Sequence, residues 1–156
     1  MPISKFELYH GVVLCQIIRS PKVSVKLLEK SATFEWSAYE ISDNQITYKV
    51  FVKSTALVRV GRKNKHYSSF TFTESDILKL RQIETDKNLL ICLVCANQEV
   101  CTLEWQDIDL MRLLFEKQVT SVIVSWQKNT RLHVKCRGKL LSYTIPRNRL
   151  ELYEWL

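Results

Sequence analysis

The feature that most constrains the fold is an unbroken apolar run in the middle of the chain, Leu89 to Ala96. It is far shorter than the roughly 20 residues that a membrane-spanning helix needs. A short continuous apolar run is instead typical of a β-strand that is buried on both faces. The run therefore predicts the central strand of an α/β domain.

The other elements are predicted from hydrophobic spacing and turn residues. Helical spacing predicts helices at about 6–19, 74–85 and 105–117, and Thr73 with Asp76 predicts a capping box at the second of these. The predicted strands lie at 23–27, 33–41, 46–60, 70–72, 89–95, 100–103, 119–126, 130–137 and 139–145. The expected fold class is α/β, with a mixed central sheet flanked by about three helices and a C-terminal antiparallel meander.

Length and cysteine usage indicate one intracellular domain. The chain of 156 residues is the usual size of a single domain, 1–156. The five cysteines are an odd number and lie mostly in apolar runs, which indicates reduced thiols and a cytoplasmic location. The start of the chain lacks the basic and apolar pattern of a secretory signal, so we expect no membrane association.

Several chemical sites are disfavoured by spacing. Cys92 and Cys95 are three residues apart in a predicted strand, so their side chains point to opposite faces and cannot easily share a metal ion. The three histidines form no recognisable catalytic arrangement, and three glycines cannot form a phosphate-binding loop. We therefore expect no metal site and no cofactor, with Mg²⁺ needed only if the protein is a nuclease.

The formal net charge of +7 is unevenly distributed along the chain. Residues 1–70 carry a net charge of +6, residues 71–116 carry −5, and residues 117–149 carry +8 with no acidic residue. Such a chain can present a positive face to an anionic partner, or it can neutralise itself when it folds.

Two stretches concentrate the positive charge. Over residues 130–139, basic residues and a histidine alternate with other residues and would share one face if the strand alternation continues to 139. In the stretch 49–65, Phe51 lies between two lysines and can stack on a base. Both stretches can meet phosphates, although lysine and arginine are also common on solvated sheet faces and edges. The candidate nucleic-acid-binding residues are Lys49, Phe51, Lys53, Arg59, Arg62, Lys63, Lys65, Arg131, His133, Lys135, Arg137 and Lys139.

The order of elements over roughly the first 100 residues resembles the restriction-endonuclease-like, PD-(D/E)XK core. In that family, an acid on the second core strand and an acid-x-Lys motif on the third bind a divalent metal and orient water. The resemblance places Lys53 at the motif lysine, Glu40 at the first acid and Glu7 as an assisting carboxylate. Phe51 stands where the motif needs its second acid, which implies a degenerate, inactive scaffold over 1–100, followed by a helix and antiparallel strands over 101–156.

Three functions remain open at this point. The first is a non-catalytic domain that binds DNA or RNA on a nuclease-like scaffold. The second is a protein-interaction module or small homo-oligomer, suggested by the segregated charge and by aromatic residues that interfaces favour. The third is a metal-dependent nuclease with an atypical site. The first is our main hypothesis and the other two are its alternatives, and the balance is against an enzyme.

Overall fold

The computed structural model describes residues 5–17, 23–31, 35–42, 46–84, 87–113, 120–147 and 149. Its helices are α1 (Lys5–Ile17), α2 (Glu74–Ile83) and α3 (Trp105–Leu110). Its strands are β1 (Ser24–Lys30), β2 (Trp36–Ser42), β3 (Thr47–Thr55), β4 (Arg59–Val60), β5 (His66–Phe72), β6 (Leu89–Cys95), β7 (Glu99–Leu103), β8 (Thr120–Trp126), β9 (His133–Cys136) and β10 (Lys139–Leu140). The predicted α/β class is confirmed. None of the helices in these ranges is long and apolar enough to cross a bilayer.

The first sheet has the strand order β1-β2-β3-β6-β7 and is mixed, because β3 and β6 run parallel while the other neighbours are antiparallel. Every residue of β6 is buried. The apolar run is therefore the fully covered strand that its composition predicts.

One face of the first sheet is covered by α1. Val13 and Ile17 of the helix belong to the same buried cluster as Tyr39, Val50 and Cys92. The opposite face belongs to a larger cluster that contains the inward side chains of the second sheet and of α2. Cys92 and Cys95 fall in these two different clusters, so the expectation that they point to opposite faces is confirmed. Burial raises the pKa of each of these thiols to about 12.

The second sheet has the order β10-β9-β8-β5-β4, and all of its neighbours are antiparallel. This confirms the C-terminal antiparallel meander and adds to it β4 and β5, which come from the first half of the chain. The predicted strand 46–60 is divided between the sheets, since β3 ends at Thr55 and Arg59 begins β4. The second sheet is thus assembled from the two basic segments of the sequence.

Candidate nucleic-acid interface

The three residues that the nuclease resemblance implies do not meet in the structure. Glu40 and Lys53 share a face of the first sheet, but Glu40 lies opposite Lys49, four residues along β3 from Lys53 and so about 13 Å away. Glu7 is exposed on α1, which covers the opposite face. The geometry therefore offers no common site for these two carboxylates and this lysine.

Glu40 and Lys53 each have a different partner. Lys49 Nζ donates to Glu40 Oε1 at 2.8 Å, and this hydrogen bond holds the pKa of Glu40 below its usual value. Lys53 Nζ lies 3.2 Å from Asp76 Oδ2 on α2 and 5.5 Å from the centroid of the Phe72 ring. Because the Lys53 and Asp76 side chains are only 14% and 9% exposed, this pair links β3 to α2 in the interior.

Asp76 also caps its own helix. Its carboxylate accepts from the Thr73 backbone N–H, and Thr73 Oγ1 accepts from the Asp76 N–H, so the predicted capping box is confirmed. The sequence indicated this cap but gave no sign of the contact with Lys53. One carboxylate beside one ammonium cannot hold a divalent cation. Within the described ranges, no group of three or more His, Cys, Asp or Glu could hold a metal ion.

The expectation that Phe51 stacks on a base was wrong. Its side chain is fully buried, and its ring stacks on that of Trp36 with 5.5 Å between centroids. The face of β3 that carries Lys49, Phe51 and Lys53 is covered by the rest of the larger core cluster. Alternation along β3 correctly predicted that these three residues share a face. It did not predict that other parts of the protein cover this face.

The second sheet has one covered face and one open face. Phe70, Val122 and Val124 point into the core, and the residues between them point outward. The outward residues, which we call the outer face, are Arg59, Tyr67, Ser69, Thr71, Ser121, Ile123, Ser125, His133, Lys135 and Leu140.

Four strands place a row of polar side chains across this outer face. Arg59 lies opposite Tyr67, Tyr67 opposite Ser125, and Ser125 opposite His133. Neighbouring strands are about 4.8 Å apart, so the row extends about 14 Å from Arg59 to His133. Lys135 lies two residues further along β9 and opposite Ile123.

The charged residues of the outer face are all basic. The five strands of the second sheet contain no Asp or Glu. Arg59 and Lys135 are exposed, and neither forms an ion pair with another described residue. The basic loop Arg62–Lys65 leads from β4 to β5, and Gln127 Nε2 donates to the Lys63 carbonyl at 3.3 Å, which ties the loop to the turn after β8.

The predicted five-residue stripe at 131–139 is only partly present. His133 and Lys135 are on the outer face. Exposed Arg131 lies two residues before β9, and its guanidinium donates to the Thr144 carbonyl at 3.3 Å. Arg137 and Gly138 have φ of 51° and 78° and form the tight turn into β10. The Arg137 guanidinium donates to Met111 O at 3.0 Å and to Thr120 Oγ1 at 2.9 Å, so this side chain is hydrogen-bonded within the fold.

Lys139 is also off the outer face. It lies opposite Cys136, whose side chain belongs to the core cluster. The stripe prediction was wrong at Arg137 and Lys139 because it assumed one long strand where the chain turns.

Some of the C-terminal positive charge is neutralised internally. Arg149 lies 2.5 Å from Asp107 and 3.2 Å from Glu104, and Arg147 lies 3.4 Å from Glu99. All three carboxylates belong to the acidic middle segment. Both consequences of the segregated charge thus occur: one part of it self-neutralises, and another part remains on the outer face.

Tyr67, on the outer face next to the edge strand β4, was not anticipated from the sequence. The predicted strand began only at Phe70, whereas β5 begins at His66. The signal available was the dipeptide His66-Tyr67 directly after the basic loop, but the two serines that follow resemble a loop more than a strand. Tyr67 is half-buried on the outer face, whereas Phe51 is fully buried in the core.

Comparisons with known proteins do not assign the chain to a family. No protein-family model, no curated protein and no solved structure matches the chain.

Proposed function

We propose that this chain is a non-catalytic nucleic-acid-binding domain whose contact surface is the outer face together with the loop Arg62–Lys65. The single observation that carries the proposal is the open sheet without carboxylates, on which Arg59 and Lys135 have no described anionic partner. Phosphates are the anions that such a surface attracts most strongly, because binding releases their condensed counterions.

The first sheet acts as the support in this proposal. The order of α1, β1, β2 and β3, followed later by α2 and a β6 that is parallel to β3, supports a nuclease-like scaffold. The pairing of Lys53 with Asp76 and of Lys49 with Glu40 supports a structural role for its charges. We accordingly propose that the scaffold binds without cutting, and that Mg²⁺ is not required.

Fluorescence anisotropy with labelled 20-mers of DNA and RNA, single- and double-stranded, tests the proposal. We expect binding at 50 mM NaCl that weakens steeply with salt. If about four phosphates are neutralised on a single strand, the logarithm of the affinity should fall with a slope of about −3 against the logarithm of the salt concentration. Affinity should then drop roughly 50-fold between 50 and 200 mM NaCl.

A matched pair of double variants distinguishes the loss of cations from the outer face from a general loss of positive charge. Arg59→Ala/Lys135→Ala and Lys26→Ala/Lys87→Ala each remove two exposed cations, but only the first pair lies on the outer face. The first variant should lower affinity roughly tenfold and make the salt slope shallower by about 1.4, whereas the second should bind like the parent. Equal losses in both variants, or no binding by the parent at 50 mM NaCl, would refute the proposal.

A further inference from the structure

We propose that the outer face selects single-stranded nucleic acid, with one base stacked on Tyr67 in a depression beside Arg59. This inference rests on the proposed function and specifies the class of ligand. It rests on a pocket in the outer face. Attraction between phosphates and the cations of this face does not by itself need such a pocket.

The depression has a volume of about 320 Å³ and is open to solvent at the β4 end of the outer face. Its lining residues are Thr55, Leu57, Arg59, Tyr67, Ser69 and Ile123. Apolar and aromatic surface combined with a few polar groups is the usual composition of a pocket for a small organic group.

The wall of the depression is built by the segment that crosses from the first sheet to the second. Ser68 Oγ donates to the Leu57 carbonyl at 3.0 Å, and the Leu57 N–H lies 3.3 Å from Thr55 Oγ1. These contacts fix the backbone at Leu57, while its side chain remains 55% exposed. An exposed leucine fixed beside an aromatic ring and an arginine gives an apolar wall without closing the pocket.

The chemistry of the depression fits a nucleobase attached to a phosphate. A base can stack on the face of a tyrosine ring irrespective of its sequence. Arg59 lies directly opposite Tyr67 in the β4–β5 register, so its guanidinium can meet a phosphate next to the stacked base. The hydroxyls of Thr55 and Ser69 line the same pocket and can hydrogen-bond to the edge of the base.

The rest of the row gives the strand a path away from the pocket. His133 lies two strands beyond Tyr67, about 10 Å away, and Lys135 follows on the same strand. A flexible single strand can place its base in the depression and its next phosphates near the His133 ring and the Lys135 ammonium. In a duplex the bases are already stacked and paired, so none is free to stack on Tyr67. A duplex therefore contacts the cations but gains no affinity from Tyr67.

The test compares three probes of one length at 100 mM NaCl: labelled dT12, labelled rU12 and a 12-base-pair DNA duplex. At least one of the single strands should bind ten times more tightly than the duplex. Tyr67→Leu should weaken single-strand binding on the order of tenfold or more and leave duplex binding unchanged, while Tyr67→Phe should bind like the parent. Because stacking involves no ion release, Tyr67→Leu should also leave the salt slope unchanged.

Two further variants guard against a general effect of mutating the sheet. Thr71→Ala changes an exposed residue on the same strand and the same face, outside the depression, and should leave the ratio of single-strand to duplex affinity unchanged. Leu57→Ala truncates a wall residue that is 55% exposed, and should weaken single-strand binding severalfold without changing duplex binding.

The outcomes distinguish this inference from the proposed function. If the duplex binds as tightly as both single strands, or if Tyr67→Phe loses as much affinity as Tyr67→Leu, selection through Tyr67 is refuted. The proposed function then survives provided that binding still depends on Arg59 and Lys135. Absence of binding to every probe removes both.

Discussion

The two sheets of this protein use the same kinds of charged residue in opposite ways. In the first sheet, Lys49 and Lys53 are largely covered and each is paired with a carboxylate, Glu40 or Asp76. In the second sheet, Arg59 and Lys135 are exposed, and neither forms an ion pair within the part of the chain that the structure describes. The difference follows from coverage: β3, the strand of the first sheet that carries both lysines, is packed on both faces, and the second sheet is packed on only one.

This comparison shows why residue type alone does not identify a binding surface. A cation that is removed from water must be paired, because an unpaired buried charge is costly. A cation on an open face has no such requirement and remains available for a phosphate. Variants of the first sheet should therefore change stability, and variants of the outer face should change affinity.

The largest effect is expected when the buried pair of the first sheet is broken. Asp76→Ala leaves Lys53 without its partner and removes the capping box of α2. The free energy of unfolding should fall by about 3 kcal/mol, measured by urea unfolding. The nucleic-acid affinity of the fraction that remains folded should be unchanged.

The control for this variant is the more exposed pair in the same sheet. Glu40→Ala breaks the contact with Lys49, whose side chain is 20% exposed while that of Glu40 is 32% exposed. Its cost should be no more than about 1 kcal/mol, since solvent screens this pair. If the two variants cost the same, burial is not what distinguishes the charges of the first sheet.

A second prediction concerns His10, which joins α1 to the first sheet. The ring is 1% exposed, with Nδ1 2.5 Å from Ser37 Oγ and Nε2 3.1 Å from Ser54 Oγ. Burial disfavours the charged imidazolium and lowers the pKa of His10 from 6.5 to about 4. Between these values the unfolded chain binds more protons than the folded one, so stability falls as the pH is lowered from 6.5 towards 4.

The expected loss between pH 7.5 and pH 5.0 is about 2 kcal/mol from this residue. Urea unfolding at both pH values measures it, and His10→Gln provides the comparison because it keeps a polar side chain that does not titrate. The variant should lose about 2 kcal/mol less than the parent over this interval. An identical pH dependence in the two proteins would show that His10 is not the titrating group.

The sequence predicted what is determined locally. The buried strand β6, the capping box of Thr73 and Asp76, and the opposite orientation of Cys92 and Cys95 all depend on residues a few positions apart. Alternation also placed His133 and Lys135 correctly on one face. Each of these predictions uses only the period of a strand or the geometry of a helix end.

The sequence could not predict what depends on distant packing. Phe51 is buried because strands from 66–72 and 120–126 cover its face, and Lys53 is paired because α2 brings Asp76 from 23 residues away. Arg59 reached the outer face only because the chain changed sheets after Thr55. Tyr67 was missed because Ser68 and Ser69 interrupt the apolar pattern that indicates a strand.

The smallest effect on stability is expected from the two cations that we propose to contact phosphates. Arg59→Ala/Lys135→Ala removes two exposed side chains with no ion pair among the described residues, so the free energy of unfolding should change by less than about 0.5 kcal/mol. Removing two like charges from a positive sheet can even stabilise it slightly, because the remaining cations repel one another less. Urea unfolding beside the binding titration gives both quantities for one sample. A loss above 1 kcal/mol would mean that these cations hold the sheet together, and the contrast between the two sheets would then no longer separate stability from binding.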